Sequence, residues 1–230
     1  MGVISLEKLD HLYWLGRYTE RVYTTLRKFY HIYDEMIEEP EGVYKKYCEA
    51  LDIPNIYVSN NHFVMSYLFD SKNPDSLYAN MNRAYDNAIV LREELCSDVL
   101  AYIQLALYAF DDNKNSTAPL LELQTVIDYI RAFWGCMDDY VESEDCRNII
   151  KCGKYIERLD LYLRLGYHLN DLDKEFSKLI NRLNKTNLHC NQDNLDKLKD
   201  LIAKKMNHPE EMEGRVVEIL ALLGGIIEVR

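Results

Sequence analysis

The sequence predicts an all-α fold, an internally duplicated bundle of about seven to nine helices. Hydrophobic residues make up 48% of the 230 residues, and only 9 Gly and 5 Pro interrupt them. Long helical segments separated by few turns fit this composition, whereas a sheet would need more turn residues. A short signature of the form G-[RK]-Y-x-E-R-x5-R also occurs twice. The two copies indicate two equivalent helices derived from a duplicated unit.

Each copy of the signature places a glutamate among basic residues on one helix. The first copy consists of Gly16, Arg17, Tyr18, Glu20, Arg21 and Arg27, and the second of Gly153, Lys154, Tyr155, Glu157, Arg158 and Arg164.

The helices of the first half can be placed from their capping residues and breakers. The first helix begins after Ser5, an N-cap, and ends near Glu39 because Pro40 cannot continue it. Further helices are predicted at 42–51 and 62–69, and a long one at 74–110 with Asn73 as its N-cap. The polar segment 111–116 is the clearest loop. It divides the single domain, residues 1–230, into repeat-bearing halves at about 1–112 and 117–230.

The second half is predicted to contain helices at about 119–140, 144–169, 172–183, 195–206 and 209–230. The apolar stretch 216–229 contains two glutamates and is too short and too charged to cross a bilayer, so no membrane association is expected. The N-terminal residues lack the pattern of a secretory signal, and the 6 cysteines form no CxxC pairs. We therefore expect a cytoplasmic protein with reduced thiols.

The charge of the chain excludes one class of partner. The formal net charge is −11 at pH 7, and no run of basic residues interleaved with aromatic residues is present. Because affinity for nucleic acids depends on dense Lys and Arg, we expect no nucleic-acid binding.

The signature charges lie opposite the apolar stripe of the first helix. On a helical wheel, Arg17, Glu20 and Arg27 share one face, and Lys154, Glu157 and Arg164 occupy the same angles in the second copy. Such a face can be solvated, with ion pairs worth less than about 1 kcal/mol each. However, Tyr13, Trp14 and Leu161 lie on or beside it, and 5 of the 12 arginines fall within the two signatures. We therefore predict a buried or cleft-lining polar layer.

Three motifs together resemble the bacterial alpha-E domain family. Residues 12–21, with Trp14, Gly16, Glu20 and Arg21, strongly resemble its opening motif. Residues 86–104 resemble its central helix, and residues 153–160 resemble its closing G-R-Y-L-E-R-A-D motif. The match extends over residues 12–164, so the resemblance implies a helical fold.

Several positions depart from the family pattern. Aspartate replaces the usual glutamate at two of them, so the charge is kept but the reach is shorter, and three other residues also differ. The replacements are Asp86 and Asp98 for glutamate, Tyr85 for arginine, Leu100 for tryptophan and Lys154 for arginine. The chain therefore resembles a divergent member.

The resemblance also implies a pathway. Genes of this family commonly accompany ATP-grasp ligases and transglutaminase-like proteins, which indicates the formation or modification of peptide or amide bonds. We expect an accessory or partner protein whose Glu/Arg cluster binds an anionic group of a peptide or amino acid. The candidate binding residues are Arg17, Arg21, Arg27, Arg158, Arg164, Asp86 and Arg92.

Two other functions remain open from the residues. In an enzyme acting directly on the peptide, Glu20 or Glu157 would accept a proton from an amine. No nucleotide-binding motif is present, so ATP chemistry would belong to the partner and no cofactor is expected. Whether the chain is catalytic stays open, although a non-catalytic role is favoured.

The third function is a carboxylate metal site built from Glu20, Glu157, Asp86 and Asp98. It lacks a Glu-x-x-His pair and nearby arginines would repel a cation, so we expect no metal.

Two smaller groups are also interpreted as structural. His189, Cys190 and His208 are interpreted as loop residues, and Cys152 as a core cysteine rather than a nucleophile.

Overall fold

The computed structural model describes residues 4–39, 42–114, 116, 119–207 and 215–227, and over these ranges the chain forms α-helices and no β-strand. The predicted all-α fold is confirmed. In chain order the helices are α1 (Leu6–Glu38), α2 (Val43–Leu51), α3 (Asn60–Phe69), α4 (Leu77–Val90), α5 (Arg92–Asn113), α6 (Pro119–Glu122), α7 (Gln124–Tyr140), α8 (Glu144–Arg164), α9 (Leu169–Leu183), α10 (Gln192–Asn207) and α11 (Val216–Gly224).

The contacts divide the chain into two compact units. One unit consists of residues 1–17 and 144–230, and the other of residues 18–143, so α1 contributes to both. The boundaries therefore fall within α1 and between α7 and α8 rather than at the predicted loop 111–116. That the whole chain is a single domain stays a prediction.

In the first unit, α8 packs on α9 and α11, and α10 also packs on both of these helices. Leu159 and Leu163 of α8, Phe176 of α9 and Ile219 of α11 are buried in the core. An isolated antiparallel β-bridge joins Cys190 to Ile227. This core holds α8, the helix of the second signature, in place.

In the second unit, α4 packs on α3 and α5, and α5 packs on α7. An aromatic cluster fills part of its core, where Phe63 contacts Phe29, Tyr44, Tyr57 and Tyr67 with ring centroids 4.8 to 5.8 Å apart. These large buried rings fix the central part of α1 against α2 and α3.

Of the two predicted N-caps, Ser5 is confirmed and Asn73 is not. The Ser5 hydroxyl accepts a hydrogen bond from the Lys8 backbone N–H at 3.2 Å, and α1 ends at Glu38, as predicted. Asn73, however, is not an N-cap. Its side chain accepts a hydrogen bond from the Asp75 N–H within a turn, and Ser76 caps α4 through the Ala79 N–H. Two competing cap residues stand close together here, and the second one is used.

The predicted helix at 74–110 is wrong as a single element. Leu91 has φ −91° and ψ 12°, which separates α4 from α5, and Cys96 interrupts α5 with φ 56° and ψ 164°. The break lets α4 pack on α3 while α5 packs on α7. A break of one residue hardly changes the apolar spacing, so periodicity did not reveal it.

Other boundaries differ by a turn. α5 continues to Asn113, so half of the predicted loop 111–116 is helical, whereas α8 ends at Arg164 and a turn with Gly166 at φ 67° follows. The segment predicted as one helix at 119–140 consists of α6 and α7. Residues 209–214 and 228–230, parts of the predicted last helix, lie outside the described residues, as does His208.

Candidate functional site

The signature glycines are the contact point between the first turns of α1 and helix α8. A Cβ atom on Gly16 would overlap the carbonyl oxygen of Ile150 and lie 3.0 Å from the backbone N of Lys154. A Cβ atom on Gly153 would likewise overlap the carbonyl oxygen of Tyr13. Each glycine therefore lets the other helix approach to backbone contact, which explains why both copies of the signature contain one.

At this crossing a buried ion pair joins the two copies. Arg17, one residue after the first glycine, donates from Nε to Oε2 of Glu157 at 2.6 Å. The Glu157 side chain is 0% exposed and that of Arg17 is 15% exposed. The predicted burial of the signature charges is therefore found at this pair, and the partner lies in the other copy.

Aromatic groups complete the surroundings of Arg17. Its NH1 donates to the Tyr13 hydroxyl at 3.3 Å, and its guanidinium lies 5.2 Å from the centre of the Trp14 ring. Burial is the largest single influence and would lower the pKa of Arg17, but the charges of Glu157 and Tyr13 and the hydrogen bond to Glu157 together raise it more, so the net shift is upward. Burial also raises the pKa of Tyr13, which keeps the hydroxyl protonated. Arg17 is therefore a permanent, preorganised cation.

A second pair lies one turn further along α8. Arg164 donates from Nε to Oδ2 of Asp160 at 2.9 Å, with side-chain exposures of 23% and 18%. Burial raises the pKa of Asp160, as does the nearby charge of Glu157, while Arg164 and Arg17 lower it only in part.

This shift predicts a pH dependence for Asp160→Asn. Since the pKa in the folded state lies above the ordinary value of 3.8, ionisation costs more in the folded than in the unfolded chain. The wild type should therefore lose stability, relative to the variant, as the pH rises from 3.8 through the folded pKa. Urea unfolding of both proteins across this range measures the difference. A relative loss for the variant with rising pH would show that pairing with Arg164 dominates.

Around Tyr155, basic residues of α8 and α9 meet the buried carboxylate of Glu175. Glu175 accepts from Arg158 NH1 at 3.1 Å and from Lys178 Nζ at 2.6 Å. Arg158 and Lys178 also lie 6.0 and 5.9 Å from the centre of the Tyr155 ring.

One turn away, Arg182 of α9 donates from NH1 to Oδ1 of Asn148 at 3.0 Å. Asn148 is buried, and its Nδ2 has no hydrogen-bond partner among the described residues. We call Arg158, Lys178, Arg182 and Tyr155 the cationic surface. Counted over these described side chains alone, the three cations meet one negative charge, that of Glu175.

The first signature continues into the other unit. Glu20 is fully buried, and its Oε1 accepts a hydrogen bond from the Thr24 hydroxyl at 2.7 Å. Arg21 acts electrostatically on the buried Tyr67, and Arg27 is exposed over the ring of Tyr23 at 5.5 Å.

The candidates from the central helix lie in a different environment. Asp86, Arg92 and Asp98 are exposed, and Asp86 accepts a hydrogen bond from Asn82. Across the ranges described above, no group of three or more His, Cys, Asp or Glu side chains is placed to hold a metal ion. Cys152 is fully buried, which raises the pKa of its thiol, in line with the interpretation as a core cysteine.

Sequence reasoning missed four of the residues that meet Arg158 and its neighbours. Glu175, Lys178 and Arg182 of α9 and Asn148 of α8 lie outside both signatures. The spacing of 3 and 7 residues from Glu175 places the α9 charges on one helix face, a signal present in the sequence. Which face of α8 this charged face of α9 meets depends on tertiary packing, which the sequence does not reveal.

A family model for an α-helical domain described as having a conserved ER motif matches residues 8–207. The chain belongs to the Alpha-E family. The Glu-Arg dipeptides of this Alpha-E protein are Glu20-Arg21 and Glu157-Arg158. No curated protein and no solved structure matches it. In the part of the Alpha-E chain that is described, no helix is both long enough and apolar enough to span a membrane.

Proposed function

We propose that this Alpha-E protein is a non-catalytic partner of a cytoplasmic ATP-grasp-linked system that forms or modifies peptide or amide bonds. In this proposal its cationic surface holds an anionic group, such as a carboxylate, of the peptide or amino-acid substrate. The observation that carries the proposal is the excess of positive charge around Tyr155 in a chain whose net charge is −11.

The pairing of the other signature charges supports this choice of surface. The guanidinium of Arg17 is engaged by Glu157 and that of Arg164 by Asp160, so each positive charge is balanced within the protein. At the cationic surface, Lys178 is 39% exposed and within reach of a ligand, and planar guanidinium groups suit a carboxylate.

The position of Glu157 favours binding over catalysis. A carboxylate that holds a guanidinium at 2.6 Å and is 0% exposed is poorly placed to accept a proton from an incoming amine. Its contact with Arg17 instead supports a structural role, in which Glu157 holds α1 and α8 together beside the binding groups.

The binding step can be tested with Lys178→Gln/Arg182→Gln. We expect this double variant to bind a peptide with a free C-terminal carboxylate at least about tenfold more weakly, because two charge-assisted contacts are lost. Calorimetry measures the affinity, and the same peptide with a C-terminal amide should bind weakly to both proteins. Lys197→Gln/Lys199→Gln changes the net charge equally at exposed positions of α10 and should bind like the wild type. Equal affinities for all three proteins would refute the proposed surface.

The partner role needs a separate assay. The chain, an ATP-grasp ligase encoded beside its gene, and the mixture are compared for ATP-dependent ligation and for co-elution. Activity that requires the mixture supports a partner role. Turnover of the peptide by the chain alone would overturn it in favour of an enzyme.

A further inference from the structure

Exposed apolar side chains lie on the C-terminal part of α1 and on the short helix α6, in the unit of residues 18–143. Tyr33 and Ile37 are 36% and 66% exposed, and Leu121 of α6 is 76% exposed. The Tyr30 hydroxyl donates to the backbone carbonyl of Leu120 at 2.8 Å, which holds α6 against this part of α1. Since residues 30, 33 and 37 share one helix face, Tyr33 and Ile37 continue the face that meets α6. We call Tyr33, Ile37 and Leu121 the end patch.

Carboxylates lie beside the end patch, with Asp34 and Glu38 next to its face of α1. Asp34, Glu35, Glu38 and Glu39 are exposed in the last turns of α1, and Glu122 follows Leu121. The last turn of α1 contains no basic residue, and none of the four α1 carboxylates forms an ion pair with another described residue. The C-terminus of a helix carries partial negative charge, so carboxylates there are unfavourable without a cation.

We propose that the end patch binds a basic amphipathic helix of a partner protein. The apolar side of such a helix would cover Tyr33, Ile37 and Leu121, and its lysines or arginines would meet the carboxylates. This charge complementarity favours a basic helix over the other molecules that could cover the end patch. A second copy of the chain would bring one acidic rim against another, and anionic lipid headgroups would be repelled.

The probe is a synthetic amphipathic helical peptide with leucines on one face and lysines on the other. Its counterpart has glutamate in place of every lysine. Fluorescence anisotropy should show binding of the lysine peptide and at least about tenfold weaker binding of the glutamate peptide, and added salt should weaken the lysine peptide's binding. Equal binding of both peptides would overturn the proposal.

Substitutions locate the contact. Ile37→Ser/Leu121→Ser should weaken binding of the lysine peptide at least about tenfold, whereas Val217→Ser, at a side chain 79% exposed on α11, should not. Circular dichroism confirms that the variants keep their helical content. Wild-type affinity for Ile37→Ser/Leu121→Ser would place the binding elsewhere and refute the inference.

Charge substitutions and competing occupants complete the test. Asp34→Asn/Glu38→Gln should weaken the binding several-fold, and the matched change Asp200→Asn/Glu218→Gln at exposed positions should not. Binding to phosphatidylglycerol vesicles that is lost in Ile37→Ser would identify a membrane surface instead. Self-association in sedimentation that is lost in Ile37→Ser would identify an interface between copies. Either result would overturn the proposal.

Discussion

Gly16→Ala and Gly153→Ala should each lower the free energy of unfolding by at least about 3 kcal/mol. The added Cβ would overlap a backbone carbonyl of the opposite helix, that of Ile150 for Gly16 and that of Tyr13 for Gly153. A side chain could rotate away from such an overlap, but a backbone carbonyl within a helix cannot. The helices would therefore have to separate, with loss of the Arg17–Glu157 contact. Urea unfolding followed by circular dichroism measures the effect.

Gly135→Ala provides the matched control. Gly135 lies within α7, is exposed, and a Cβ there would meet nothing within 4 Å. Because alanine is the better helix former, this variant should be more stable than the wild type by about 0.5 to 1 kcal/mol. If Gly16→Ala were as stable as Gly135→Ala, α1 and α8 would not cross at the two glycines.

The second large effect is expected for Glu157→Gln, which should lower the free energy of unfolding by about 3 kcal/mol. The substitution keeps the size of the side chain but removes the negative charge 2.6 Å from Arg17 Nε. The guanidinium then stays largely buried without its counter-charge, which is more costly than losing an exposed pair. Denaturant unfolding at neutral pH gives the value.

A double-mutant cycle separates this pair from general effects of each substitution. Glu157→Gln should cost much less in the background of Arg17→Met, giving a coupling energy above about 1 kcal/mol. The exposed pair of Lys185 and Glu144, 3.9 Å apart, serves as the control, and its coupling energy should stay below about 0.5 kcal/mol. Equal coupling energies for the two pairs would contradict the buried ion pair.

The helical placement and the burial of the signature residues could be predicted from sequence, because both depend on residues that lie close together along the chain. The spacing placed glycine, glutamate and arginine at fixed positions on two helices, and the burial of Glu20 and Glu157 followed from the apolar residues beside them. The partners could not be derived in the same way. Arg17 pairs with the glutamate of the other copy, and Arg158 with Glu175 on α9, because tertiary packing decides which helix faces meet.

The same limit applies to the helix breaks. Leu91 separates α4 from α5 although no glycine or proline marks the position, and Cys96 takes a left-handed φ inside α5. Both residues satisfy the apolar pattern of a continuous helix. Their conformations are imposed by the neighbours of α4 and α5, which override local propensity.

The contacts of the two signature glycines are reciprocal. Gly16 approaches the residues three before and one after Gly153, and Gly153 approaches the residues three before and one after Gly16. This is the arrangement of an isologous interface, in which the same patch serves both sides of a twofold axis. Because one polypeptide carries both halves of this interface, each side can differ from the other, as lysine at 154 and arginine at the equivalent position 17 illustrate.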